Sequence, residues 1–257
     1  MTADETGQGA AEQRVLLSRG SRWKPAVWRV AGPDCGPEGV CVEKSVADLA
    51  WLPRQIGRWL MRREVRALQR LRGLEGFPEC LGEPTHERFR CRMLAGTPLD
   101  RERFAQEGRT TADRLLAAVA AMHARGVFHL DLRQRQNLLL DEEGGVAVVD
   151  FGAAFAPGWL GRRLWGPMLA WIDRQAVLKH LARYAPDELS PHEARSVLRA
   201  QRLRRLWPFT RHNPRGEAEA ARARTGAETL AQPHAGPDAP AAEGGGESRR
   251  ESDDARH

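Results

Sequence analysis

Short apolar runs bounded by turn residues open the chain. Residues 15–18, 26–30 and 39–44 are each predicted as strands, separated by segments rich in Gly, Pro, Ser and Asp. From about residue 54 to 71 the period lengthens to that of a helix, and Ile56, Leu60, Leu68 and Leu71 fall on one stripe. Glu64 sits in the middle of that stripe, so its carboxylate is expected to face the core. Residues 89–94 read as another strand and 95–99 as a strand-to-helix linker. A helix is expected over 111–125, with Leu115, Leu116, Val119 and Met122 inside and Gly126 as its stop. Residues 137–140 and 146–149 read as two short strands joined by the turn at 141–145. Ser190-Pro191-His192-Glu193 is a capping box that opens a last helix ending before Pro208. The order, strands first and helices after, predicts an α+β fold in two parts.

Two acidic motifs lie at the ends of the predicted hairpin. His129-Leu130-Asp131-Leu132-Arg133-Gln134-Arg135-Gln136-Asn137 leads into its first strand, and Asp150-Phe151-Gly152 follows its second. A hairpin brings its ends together, so Asn137 and Asp150 are close enough to share an ion. Phosphoryl transfer from a nucleotide needs one carboxylate at the acceptor hydroxyl, and a second carboxylate with an amide oxygen to hold Mg²⁺ against the phosphates. Asp131, Asp150 and Asn137 supply those groups. Solvated acids at the ends of an ordinary hairpin explain either motif alone, but not both at this spacing.

With these residues the chain resembles the protein-kinase-like superfamily over roughly residues 14 to 210. The His-Leu-Asp-Leu-Arg start at 129, the short C-terminal part and Asp173-Arg174-Gln175-Ala176-Val177-Leu178-Lys179 look most like the lipopolysaccharide-core kinases, including the Kdo kinases. The resemblance implies a bilobal fold with a small β-rich N-lobe and an abbreviated helical C-lobe. It also implies ATP and Mg²⁺ as cofactors, with a hydroxyl-bearing acceptor, a lipopolysaccharide-core or lipid-linked sugar. A serine/threonine protein kinase and a nucleotide-binding pseudokinase are the alternatives. The chain departs from the superfamily at several points. The usual place of the amide is that of Gln136, one residue before Asn137, so either the loop bulges or Gln136 is the ligand; the longer interval to Asp150 favours the bulge. Leu130 replaces the arginine that grips a phosphorylated activation loop. No Ala-Pro-Glu follows Gly152, and too few residues remain for the usual peptide-binding helices.

The resemblance implies further parts. Lys44, at the end of the third strand, would neutralise the α- and β-phosphates, and of 40 basic residues only Lys24, Lys44 and Lys179 are lysines. Glu64, if buried, needs a cation; Lys44 or a local arginine such as Arg62 or Arg66 would serve. Gly20, within Ser18-Arg19-Gly20-Ser21-Arg22, would let backbone amides approach phosphate, without a G-x-G-x-x-G pattern. Arg133 stands where a kinase lysine contacts the transferred phosphate. His129 is read as a neutral brace in the core rather than a catalytic group.

Trp159, Trp165 and Trp171 interleave with Arg162 and Arg163. Core packing is the preferred reading of these tryptophans, and a membrane-interface segment is the other. The chain has 257 residues, 41% hydrophobic, enough for one sizeable core. Residues 1–13 and 211–257 are expected to be disordered, leaving lobes at 14–94 and 95–210. The tail from 215 holds six arginines and nine acids, and the first thirteen residues hold three acids and no base, so the net charge of +6 becomes +12 in the body. A basic body suits anionic partners and the surface of an anionic membrane, while no nucleic-acid module is present. No run approaches the roughly 18 apolar residues of a spanning helix, and no secretory signal opens the chain, so a cytoplasmic location is expected, peripheral to the inner membrane if the acceptor is a glycolipid. Cys35, Cys41, Cys80 and Cys91 lack paired spacing, and reduced thiols are expected. Oligomeric state and the identity of the acceptor are not encoded in these patterns.

Overall fold

Apolar runs rich in Val make up most of the first strands, and the computed structural model, which describes residues 12–205, pairs them into one antiparallel sheet. Its order is β1 (Gln13–Ser18), β2 (Ala26–Ala31), β3 (Val40–Ser45), β5 (Arg88–Arg92) and β4 (Cys80–Leu81). β3 is central, with Lys44 opposite Val27 on one side and Phe89 on the other. Glu43, on the other face, is buried; it takes Arg14 and Arg90, and Arg90 also reaches Glu12.

α1 (Trp51–Leu71) packs against this sheet. Its buried face runs through Gly57, Met61, Glu64, Val65, Leu68 and Leu71, so the stripe read from the sequence is displaced at its start: Ile56 is exposed and Gly57 lies inside. The reason is close packing, because a Cβ at Gly57 would stand 2.9 Å from the Val46 side chain.

The second part begins after the linker 93–96. β6 (Thr97–Pro98) joins β7 (Leu138–Leu140) and β8 (Val146–Val148) in a small antiparallel sheet. α2 (Arg101–Gln106) is capped by Asp100, which accepts the Glu102 amide at 2.7 Å. α3 (Gly108–Ala124) buries Leu115, Val119 and Met122, and Gly126 ends it at φ 70°. α4 (Trp159–Tyr184) packs against α3 and α2, α3 packs against β8, and α5 (Pro191–Arg205) packs on α4. The capping box before α5 is formed, with the Ser190 amide donating to Glu193 at 3.1 Å and the Glu193 amide to Ser190 Oγ at 3.3 Å. The architecture is α+β and kinase-like: a β-rich sheet with one helix, then a helical part. One continuous core links α1, α3 and α4 through Phe77 and Phe151.

Two expectations are corrected. Cys35 and Cys41 form a disulfide, because the turn between β2 and β3 brings their Cα atoms to 4.9 Å, while Cys80 and Cys91 are free thiols. Trp159 and Trp165 are not core residues: they are 79% and 55% exposed on the first turns of α4, beside Leu160, Leu164 and Met168, although Trp171 is half-buried. Among the described residues no second layer covers that face. Among the described residues no helix is long and apolar enough to cross a membrane. The segments expected to be disordered, apart from Glu12 and Gln13, and the end of the last helix near Pro208 lie outside the described residues.

Candidate active site

The strand pairing that centres β3 carries Lys44 under the sheet, where it is 8% exposed, and the inner face of α1 presents Glu64 to it. Lys44 Nζ lies 2.6 Å from Glu64 Oε1 and 2.7 Å from Asp150 Oδ1. One ammonium thus joins the small lobe to the residue that follows β8. Burial works against its charge, but the two carboxylates outweigh burial and raise the Lys44 pKa above its ordinary value. Burial pushes Glu64 up while Lys44 pulls it back. For Asp150, burial acts upward and the Lys44 ammonium prevails, holding the carboxyl below the usual range. The alternative partners read for Glu64, Arg62 and Arg66, are exposed.

Backbone shape brings Asp131 and Asp150 to the same place. Leu130 and Asp150 are the non-glycine residues with positive φ among the described residues, at 65° and 62°. Each left-handed residue of this kind costs about 1–3 kcal/mol and persists only where the surroundings hold it. Asp173, fully buried in α4, does so for the first loop, accepting the amides of His129 at 2.8 Å and Leu130 at 2.7 Å and a bond from His123 Nε2 at 3.0 Å. His129 is likewise buried. Its Nε2 meets the Val149 carbonyl at 3.0 Å and its Nδ1 accepts the Asp131 amide at 3.3 Å, so it ties the two acidic loops together. Burial lowers its pKa and keeps it neutral. Phe151 packs edge-on against His129 and Phe77, and closes the floor.

Asp131 is half-buried at the mouth of a cleft, where Gln134 Nε2 donates to its Oδ2 at 2.5 Å. Burial raises its pKa, and the charge of Asp150 acts in the same direction. Asn137 is 5% exposed, and its Nδ2 donates to the Asp131 carbonyl at 3.0 Å and to Asp131 Oδ2 at 3.4 Å. Gln136 is exposed on the tight turn before β7 and lines the cleft instead. Arg133 also lines it. Gly20 lies in the β1–β2 turn with φ 69°; a Cβ there would come within 2.4 Å of the Lys24 carbonyl oxygen, so the turn requires glycine.

Asp150 with Asn137 is a carboxylate and amide oxygen set, suited to an ion that completes its shell with water and phosphate oxygens. No cluster of three or more His, Cys, Asp or Glu that could hold a metal occurs among the described residues. Sequence reasoning named the Asp173 segment but missed the role of Asp173. An acid amid Leu, Ile, Ala and Val along a helix was the signal available, since a buried charge there demands donors.

No family model matches the chain. Curated relatives do: CBL-interacting protein kinase 16 of Oryza sativa subsp. japonica is 37% identical over 131 residues, covering 46% of this chain and 28% of that protein. CBL-interacting protein kinase 12 of the same plant is 35% identical over 105 residues, covering 38% of this chain and 19% of the relative. Sperm motility kinase Z of Mus musculus is 44% identical over 62 residues, covering 23% and 12% respectively. The chain spans less than a third of the length of each of these relatives. Together with the fold, these matches support a protein-kinase-like superfamily. They lend no support to the narrower likeness to lipopolysaccharide-core kinases.

Proposed function

We propose that this chain is an ATP-dependent phosphotransferase that moves a γ-phosphoryl group to a hydroxyl. The observation that carries the reading is the double ion pair of Lys44 with Glu64 and Asp150, at 2.6 and 2.7 Å, with His129 tying the loop before Asp150 to Asp131. In this reading the acceptor oxygen attacks the γ-phosphorus, the bond from that phosphorus to the β–γ bridging oxygen breaks, and ADP leaves with the electron pair. The acceptor proton passes to the Asp131 carboxylate, which the Asn137 and Gln134 amides orient. Lys44, released from Asp150 or shared with it, neutralises phosphate charge, and Glu64 aims the ammonium. Asp150 and Asn137 would hold Mg²⁺, whose chemistry is to offset charge on the phosphates. Arg133, which lines the cleft with Asp131, would contact the transferred group, and Gly20 would let its loop approach the nucleotide.

For the acceptor, the relatives support a serine or threonine of a protein over a lipopolysaccharide-core sugar. One structural observation favours the sugar as a second reading. The short connection from Asp150 to α4 has no room for a peptide platform, and α4 opens with exposed Trp159, Leu160, Leu164 and Trp165 beside Arg162 and Arg163, as a membrane-anchored glycolipid acceptor would require. Labelled ATP offered with generic protein substrates, lipid A–Kdo and heptose acceptors separates the two. Label in protein serine or threonine supports the first reading, label only in the sugar supports the second, and no Mg²⁺-dependent ATP binding defeats both.

A further inference from the structure

A cleft of about 1,100 Å³ opens beside Asp131, and its charge is one-sided. Arg101 at the start of α2, Arg133 and Arg135 after Asp131, and Lys179 and Arg183 one turn apart on α4 line it, and Asp131 is the one carboxylate in the wall. In the small lobe several arginines are matched by acids: Glu43 and Glu12 meet Arg14 and Arg90, Glu87 meets Arg54 and Arg58, and Glu79 meets Arg72 and Arg92. Among the described residues, none of the salt bridges includes Arg101, Arg135 or Arg183. His180, buried at the back of the cleft, feels the imbalance. Its pKa is pushed down to about 4, first by burial and then by the charges of Lys179, Arg183 and Arg133. Like charges gathered in a concave wall raise the local potential and attract the opposite charge.

We propose that this cleft binds the acceptor, and that the acceptor is an acidic protein segment whose serine or threonine is flanked by carboxylate or phosphate groups held by Arg101, Arg135 and Arg183. The inference rests on the phosphotransferase reading above and extends it. Cations spread over α2, the loop after Asp131 and α4 suit successive charges along an extended chain better than a single phosphate, and guanidinium groups bind carboxylate and phosphate in a paired geometry. With the acidic side chains held there, the hydroxyl is delivered to Asp131 in the same wall.

The test compares serine peptides flanked by glutamate, by phosphoserine and by arginine as acceptors for the full chain with Mg²⁺ and ATP. The expected result is a kcat/KM at least about tenfold higher for the acidic and phosphorylated peptides, falling as salt is raised. The double variant Arg135→Glu/Arg183→Glu should shift preference toward the arginine-flanked peptide, a gain that a misfolded protein cannot show. Equal use of all three peptides by a chain that binds ATP normally, or a double variant that keeps the acidic preference, overturns this inference and leaves the phosphotransferase reading standing. Transfer to lipid A–Kdo with none to acidic peptides overturns the protein source. Loss of Mg²⁺-dependent ATP binding in the unaltered chain overturns the phosphotransferase reading itself.

Discussion

Asp173 in α4 holds Leu130 in a left-handed conformation, accepting its amide at 2.7 Å while φ stands at 65°. The same carboxylate takes the His129 amide and the His123 ring, so removing it leaves three donors without their acceptor. An unsatisfied buried donor costs about 1–3 kcal/mol, and Asp173→Ala is expected to lose roughly 3–5 kcal/mol in urea unfolding, since such losses are not fully additive. Asp173→Asn, which still accepts one bond, should fold and bind ATP while turnover drops at least about tenfold through displacement of Asp131. Unchanged turnover in that variant would mean that the left-handed loop has no part in the chemistry.

Asp131→Ala is expected to bind ATP and to lose about 10²–10⁴-fold in kcat, the usual contribution of a general base. The base acts ionised, so the rate must fall as pH falls through its pKa. Because burial raises that pKa, the acid limb of the pH–rate profile should lie above that of an exposed aspartate. A variant with half the original kcat, or a profile with no acid limb, would remove Asp131 from the reaction.

Asp150→Asn deletes a carboxylate that is held ionised by Lys44. Titration calorimetry should then find ATP affinity no longer raised by Mg²⁺. If Mg²⁺ still strengthens binding as before, Asp150 serves only as the lysine's partner.

His180 gives a pH dependence of stability separate from catalysis. It is 2% exposed, donates from Nε2 to the Leu132 carbonyl 3.0 Å away, and its pKa falls from 6.5 to about 4 on folding. Between those values the unfolded chain binds the proton and the folded chain does not, so the stability present above pH 6.5 is lost as pH falls toward 4. At 1.36 kcal/mol per pH unit the loss amounts to about 3 kcal/mol. Thermal melts of the chain and of His180→Gln from pH 7 to 4 are expected to diverge, with the variant the flatter. Parallel curves would show that His180 titrates alike in both states.

The exposed start of α4 should give weak binding to vesicles rich in phosphatidylglycerol, since a basic residue near such a surface contributes about 1 kcal/mol and salt screens it. Replacing Trp159 and Trp165 by Ser with Arg162 and Arg163 by Gln is expected to abolish co-sedimentation while ATP affinity stays. Vesicle binding that is absent at low salt would leave that face without a membrane role.

Much was legible in the sequence where the physics is local. Short apolar runs at 26–30 and 39–44, bounded by turn residues, read as strands, and glycines at 20 and 126 mark turns that only positive φ closes. The pairing of Lys44 with Glu64 was anticipated because a carboxylate on an apolar helical stripe requires a cation. Ile56 defeated the same logic. An apolar residue near a helix start fits the stripe on paper, yet the close approach of Gly57 to Val46 turns it outward.

By itself the sequence determined β1 to β3, α1, β5, α3, the β7–β8 hairpin with its acidic motifs and the start of α5, because hydrophobic period and turn chemistry act over a few residues. Tertiary structure alone decided what depends on elements meeting from far apart in the chain. It left Trp159 and Trp165 uncovered and gathered Arg101, Arg135 and Arg183 into one wall. It also set Asp173 under the Asp131 loop, 43 residues from Leu130, where no local pattern could announce it. A buried carboxylate is stable only where donors converge on it, and convergence is a property of the packed molecule.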